Sequence, residues 1–266
     1  MSPIRIAVLG PRGKMGQEVL KTVLQEPDFT LSALVDHKES ETLALLAALG
    51  APADQAVYAS LSEAAAQRAI DVAVDFTVPA VVKDHTEEAI SLGIRPVVGA
   101  TGLSEAEIAA LAEQSAEKGV GGIVAPNFAI GAILLMRFAA EAAKYLPHAE
   151  IIEMHHDQKV DAPSGTARKT AELMALNREA IKQGNPLEVE SIQGVRGGDF
   201  AGMRIHSVRL PGILAHQAVV FGAEGQLLTL RHDALHRGVY MPGVKMAIRA
   251  VMQLDHLVYG LEHLLD

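Results

Sequence analysis

Between an apolar run, Ile4 to Leu9, and an amphipathic stretch, Lys14 to Gln25, the chain reads Gly10-Pro11-Arg12-Gly13-Lys14-Met15-Gly16. A short β-branched run, a glycine turn and a helical period make a strand–turn–helix unit. The glycines allow a tight turn and close approach of backbone N–H groups to an anion, at a helix N-terminus whose dipole favours negative charge. The spacing is GxxGxxG, a slight departure from GxGxxG, and it commits the first part of the chain to an open α/β sheet with a ligand at its edge.

The rest of the N-terminal half agrees with that commitment. Thr30 to Asp36, Asp71 to Phe76, Arg95 to Val98 and Gly122 to Val124 read as apolar strands, and Val78 to Leu92 and Ser104 to Lys118 as helices. Pro79 and Ser104 stand where those two helices should start. Strands this apolar, separated by helices, require a parallel sheet covered on both faces. The region Glu41 to Ile70 gives no clear period.

The composition shifts near Ala125 to Phe128. Beyond it, Ile130 to Tyr145 reads as a helix and Glu150 to His156 as a strand. Met203 to Leu210, His216 to Phe221 and Gln226 to Arg231 alternate like antiparallel or mixed strands, and Val239 to Leu257 closes the chain as a helix. The expected fold class is α/β: an N-terminal dinucleotide-binding domain followed by an α+β domain with a mixed sheet. The boundaries fall at 1–126 with 238–266 for the first, the last helix returning to it, and 127–237 for the second.

Composition excludes several function classes. The 266 residues hold no Cys, which removes disulfides, Cys-ligated zinc, iron–sulfur clusters and thiolate catalysis. The formal charge of −9 argues against nucleic acid or an anionic membrane as a partner. No apolar run approaches a membrane span, and a cytoplasmic location is the default expectation.

On an acidic chain, an anionic ligand needs a locally basic or N–H-rich site. The glycine loop is one such place. It is followed by Asp36 at the end of the second strand, 20 residues after Gly16, where an acid accepts hydrogen bonds from an adenosine ribose. Asp36 repels a 2′-phosphate, whereas His37, Lys38, Arg12 or Lys14 could pair with one, so the expectation is NADH preferred and NADPH tolerated. Phe76-Thr77-Val78-Pro79 and Gly99-Ala100-Thr101-Gly102 follow strands at the same edge, where small residues let a nicotinamide lie against the backbone.

The second such place is the run Glu153-Met154-His155-His156-Asp157-Gln158-Lys159-Val160-Asp161-Ala162-Pro163-Ser164-Gly165-Thr166-Ala167. Ser164, Gly165 and Thr166 open a helix and suit a carboxylate or phosphate. His155 and Lys159 are candidate general acids. A metal site is not expected: neighbouring strand residues point to opposite faces, and no HExxH pattern or third ligand accompanies the two histidines.

Taken together, GPRGKMG, DFTVP at 75–79, GATG at 99–102, APNFAIG at 125–131 and HHDQKVDAPSGTA at 155–167 resemble the bacterial dihydrodipicolinate reductases, also called 4-hydroxy-tetrahydrodipicolinate reductases. The resemblance implies NAD(P)H-dependent reduction of 4-hydroxy-tetrahydrodipicolinate, through dihydrodipicolinate, to tetrahydrodipicolinate in diaminopimelate and lysine biosynthesis. It also implies a homotetramer built through the sheet of the second domain, and a small dicarboxylate as the ligand.

Carried over by position, the resemblance makes His155 the catalytic proton donor or acceptor and Lys159 the proton-donating lysine. His156, Gly165 and Thr166 become substrate contacts, joined by Ser164 from its place at the helix start. Gly10, Pro11, Arg12, Gly13, Lys14 and Met15 match the pyrophosphate loop and Asp36 the ribose-binding acid, next to which His37 and Lys38 are cofactor-side candidates by their charge. Phe76, Gly99, Ala100, Thr101, Ala125, Pro126, Asn127 and Phe128 fall on the nicotinamide side. Two positions depart from the family pattern: Ala100-Thr101 stands for Thr-Thr, and Asp157 for a basic residue.

Other readings are weaker. An acyl-thioester aldehyde dehydrogenase needs the Cys this chain lacks, and a homoserine-type dehydrogenase has no need of HHxxK with SGT. A non-catalytic NAD(H) sensor would carry a nucleic-acid or partner-binding element, which the acidic charge and absence of a basic helix oppose.

Overall fold

The computed structural model describes residues 2–51, 55–179 and 181–265. The elements run β1 (Ile4–Leu9), α1 (Lys14–Gln25), β2 (Phe29–Val35), α2 (Glu39–Ala48), β3 (Val57–Tyr58), α3 (Leu61–Gln67), β4 (Val72–Asp75), α4 (Val82–Ser91), β5 (Arg95–Val98), α5 (Glu105–Lys118) and β6 (Gly122–Val124). Then follow α6 (Ile130–Ala143), β7 (His148–His155), α7 (Gly165–Ala175), β8 (Gly198–Phe200), β9 (Met203–Arg209), β10 (Ala215–Ala223), β11 (Gln226–Ala234), α8 (Met241–Ala250) and β12 (Leu257–Tyr259). Two compact units result, Met1–Ala129 with Tyr240–Asp266, and Ile130–Val239.

The first unit is a seven-stranded parallel sheet in the order β12-β6-β5-β4-β1-β2-β3. Every residue of β4, and Ile6 to Leu9 of β1, is buried, which is why these strands read as continuous apolar runs rather than alternating ones. The chain leaves β1 toward β2 and β3, then returns to the other side of β1 for β4, β5 and β6. The switch point therefore lies between β1 and β4, and it brings the loops after those two strands together at the carboxyl edge.

The second unit is a five-stranded mixed sheet, β11-β10-β7-β9-β8, in which β7 and β9 run parallel and the other pairs antiparallel. Its core alternates with period two: Ala149 and Ile151 of β7, Met203 and Ile205 of β9, Val219 and Phe221 of β10 pack with Leu135 and Ala139 of α6 and Ala171 and Met174 of α7.

Two expectations need correction. The helix expected over Val78 to Leu92 begins only at Val82: Val78 O accepts from both Val81 N and Val82 N, so Pro79 sits in a turn ahead of the helix. The closing helix stops at Ala250, and Leu257, expected to be helical, opens an edge strand paired with β6. The carbonyls of Val251 and Leu254 lie where a Cβ on Gly121 would be, 2.5 and 2.3 Å away, so this tight crossing is open only to glycine. The unassigned stretch 41–70 holds most of α2 with β3 and α3. Ser60 caps α3 by accepting from Glu63 N, and the Glu63 carboxylate accepts from Ala59 N.

Candidate active site

In the first unit the glycine loop begins with Gly10 at φ 65°, its N–H held by Val35 O of β2. A Cβ on Gly16 would lie 2.2 Å from Gly10 O, so the helix can start this close to the strand only with glycine there. Gly10, Arg12, Gly13, Asp36, His37 and Phe76 line one cleft of about 600 Å³, joined by Thr77, Val78 and His85. Among the described residues Thr77 Oγ1 is a buried hydroxyl without a hydrogen-bond partner, on a residue that lines the same cleft. Glycine cradle, unpaired hydroxyl and ribose-side acid fit a dinucleotide.

The acid end of the cleft is already engaged. Asp36, whose side chain is 3% exposed, accepts from Arg12 Nε and Nη2 at 3.0 and 2.9 Å and from Lys38 N at 3.0 Å. Glu41 accepts from Arg12 Nη1 at 2.9 Å and pairs with Lys38 Nζ at 2.9 Å. Hydrogen bonding to Asp36 raises the Arg12 guanidinium further above its ordinary value. Two cations are thus matched by two carboxylates. Glu41 was not legible as a site residue: nothing but its place on α2 brings it here.

A second pair escaped the sequence reading. Asp75, buried at the end of β4, accepts from Thr77 N at 2.7 Å and lies 2.9 Å from His85 Nδ1. That hydrogen bond raises the His85 imidazolium above its usual value, against the opposing effect of burial. The carboxylate in DFT, at the mouth of an apolar strand, was the available signal.

Not all expected cofactor residues line the cleft. Pro11 and Ala125 are buried, and Lys14, Thr101, Pro126 and Lys38 are exposed. Ala100 is 8% exposed. Met15 is partly buried in α1. Asn127 Oδ1 accepts from Ala129 N. Phe128 is buried, its ring 5.5 Å from that of Phe76, so it backs the Phe76 ring rather than facing solvent. Gly99 lies directly under the same Phe76 ring, too close for any Cβ.

In the second unit, β7 ends at His155, and the following loop leads to the Ser164 cap of α7, whose Oγ accepts from Ala167 N. Gly165 is the first residue of that helix, and a Cβ there would touch nothing within 4 Å. Thr166 Oγ1 belongs to the same first turn, and Thr166 O accepts from Thr170 Oγ1. His155 Nδ1 lies 2.6 Å from Glu153 Oε2. Lys159 Nζ donates to Asp161 Oδ1 at 2.6 Å, and Lys159 N to His156 O. Asp157 is exposed and accepts from Gln158 Nε2. His155, His156, Lys159, Ser164, Gly165 and Thr166 therefore share one strand end, one loop and one helix start.

Beneath them lies Glu153, fully buried, in phase with Ala149 and Ile151. The parallel register sets Glu153 opposite Ser207 and His155 opposite Arg209. Arg209 donates from Nη1 and Nη2 to Glu153 at 3.0 and 2.7 Å and from Nη2 to Asp161 O at 2.8 Å. Ser164 N donates to Glu153 Oε1 at 3.3 Å. Burial pushes the Glu153 carboxyl up, but hydrogen bonds from His155, Arg209 and Ser207 outweigh it and bring it down to about 2. A carboxylate at a core position of an alternating strand was the signal for Glu153; Arg209, 56 residues on, gave none. Among the described residues no group of three His, Asp or Glu is placed to hold a metal ion.

The family model described as dihydrodipicolinate reductase, N-terminus, matches residues 4–128, and that described as dihydrodipicolinate reductase, C-terminus, matches 131–265. A 4-hydroxy-tetrahydrodipicolinate reductase of Halalkalibacterium halodurans is 53% identical over 263 residues, covering 99% of this chain and 100% of that protein. One from Bacillus cereus (strain B4264) is 50% identical over 270 residues, covering 100% of both. A dipicolinate-bound dihydrodipicolinate reductase structure from Paenisporosarcina sp. TG-14 superposes with a TM-score of 0.89 at 47% identity, over 99% of this chain and 100% of that one.

Proposed function

The chain belongs to the dihydrodipicolinate reductase family, and from that premise we propose how its residues share the reaction. It is an NAD(P)H-dependent oxidoreductase that reduces 4-hydroxy-tetrahydrodipicolinate, through dihydrodipicolinate and with loss of water, to tetrahydrodipicolinate in diaminopimelate and lysine biosynthesis. Its ligands are a nicotinamide dinucleotide and a small dicarboxylate.

Residues 1–126 with 238–266 bind the dinucleotide and 127–237 the substrate. The glycine loop from Gly10 to Met15 holds the pyrophosphate, and Asp36 with His37 and Lys38 the adenosine ribose. Phe76, Gly99 to Thr101 and Ala125 to Phe128 flank the nicotinamide, which supplies the hydride when bound. NADH is preferred, because Arg12 and Lys38, two of the cations that could pair with a 2′-phosphate, are already matched by Asp36 and Glu41.

The observation that carries the substrate reading is that His155 and the Ser164 start of α7 share one buried anion, Glu153, with Lys159 in the loop that joins them. Backbone N–H groups at the start of α7 and the Thr166 hydroxyl hold a substrate carboxylate, with His156 as a further contact. His155 or Lys159 delivers the proton that balances hydride addition to the ring. The Lys159–Asp161 ion pair holds the ammonium within the loop that follows β7 until substrate competes for it.

The protein works as a cytoplasmic homotetramer without nucleic acid. The mixed sheet supports the assembly: Ile152, Val220 and Leu227 share a groove on it, and Leu227 is 78% exposed. No helix of the described residues is long and apolar enough to cross a membrane.

Steady-state kinetics of H155Q and K159M test the site. Each should lower kcat by about 100-fold or more while leaving NADH affinity intact. A loss confined to substrate KM would refute the proton-transfer roles.

A further inference from the structure

Among the charged groups around the substrate segment that the reaction does not touch, Glu153 is the one that is fully buried. It is the only charged residue among those of β7 that face the core, and it is fully buried. Its partners come from every element of the segment: His155 Nδ1 from the strand end, Ser164 N from the start of α7, and Arg209 from β9, which also ties down the Asp161 carbonyl in the loop.

A carboxylate held down to about 2 is ionised at any working pH and can only accept hydrogen bonds. The 2.6 Å contact with His155 then requires a proton on Nδ1. With Nδ1–H committed to Glu153, Nε2 is the ring nitrogen left to exchange a proton with a ligand. We propose that Glu153 is a positioning residue for the reduction: it fixes His155 with Nε2 available for proton transfer and, through Ser164 N and Arg209, locks the carboxylate-binding turn to the same anion. Arg209 balances the buried charge, and the N-terminal end of α7 adds favourable dipole.

This rests on His155 being the proton donor, and the test separates the two claims. H155Q, E153Q and the double variant are compared by kcat and by NADH affinity from cofactor fluorescence. If Glu153 acts through His155, E153Q lowers kcat by about 10- to 100-fold with NADH affinity unchanged. The double variant is then no slower than H155Q, because the second substitution removes nothing the first left in place. Losses that multiply in the double variant, or an E153Q enzyme within threefold of the parent, overturn the proposal while H155Q remains impaired. An H155Q enzyme with full kcat removes the premise and the proposal together.

A measurement on the unaltered protein does not depend on E153Q folding. With 15N-labelled histidine, the His155 ring signals are identified by their loss in H155Q. Nδ1 carrying a proton on both sides of the ring's titration is the expected result. A neutral ring protonated on Nε2, with Nδ1 bare, overturns it.

Discussion

Replacing Glu153 by Gln should cost the fold stability in a way that depends on pH. The carboxyl has an ordinary value of 4.5 and is lowered to about 2 in the folded chain. That difference of about 2.5 units, at about 1.4 kcal/mol each, is worth about 3 kcal/mol at neutral pH. The folded value is the depressed one, so the contribution is complete above pH 4.5 and is lost as pH falls from there through 2. By pH 3 about 1 kcal/mol of it remains. The side chain is fully buried, so solvent screening takes little away. For a unit of this size, 3 kcal/mol lowers the melting temperature by about 13 °C. Calorimetric melts of both proteins between pH 7 and pH 3 read this directly. A drop under about 3 °C at pH 7, or one equally large at pH 3, would refute the reasoning.

Gly16→Ala forces a Cβ to within 2.2 Å of Gly10 O. The strain should cost about 1–3 kcal/mol, read as about 5- to 150-fold weaker NADH binding or as lost stability of the first unit; a variant with parental affinity and melting temperature contradicts the loop geometry. Gly165→Ala meets no atom within 4 Å, so stability should hold or rise by less than about 1 kcal/mol. Substrate KM should nevertheless increase, because the methyl intrudes on the surface assigned to a carboxylate; an unchanged KM would move that carboxylate elsewhere. Glu41→Gln frees Arg12 and Lys38 from one exposed countercharge, and the NADPH-to-NADH ratio of kcat/KM should rise by up to about fivefold. A ratio that stays put or falls would show that Glu41 does not set cofactor preference.

Where the sequence carried a local signal, the fold could be read from it. The strand–glycine–helix unit, the run of doubly buried strands and the Ser104 and Ser164 caps each depend on neighbouring residues, and each stands in the structure. The strand at Leu257 was misread because it is decided by a partner far along the chain: β6 claims 257–259 by pairing, which no local period announces; the helix start at Val82 was misread because a turn closed on Val78 O comes before it. The same division runs through the site. HHDQKVDAPSGTA is contiguous, so its residues could be named together. Glu153's role depends on Arg209 from another strand, and the state of Asp36 depends on Arg12 and Glu41, which only the sheet order brings within reach. Side chains proposed to do the chemistry are thus contiguous in the sequence, whereas those that hold them are not.

The most direct test of the account supplies the purified protein with NADH or NADPH and the fresh product of dihydrodipicolinate synthase, made in place from pyruvate and aspartate semialdehyde. Cofactor absorbance is followed with and without that product. The account requires oxidation that depends on the synthase product and is faster with NADH at equal, subsaturating cofactor. Cofactor that binds but is not consumed would contradict it.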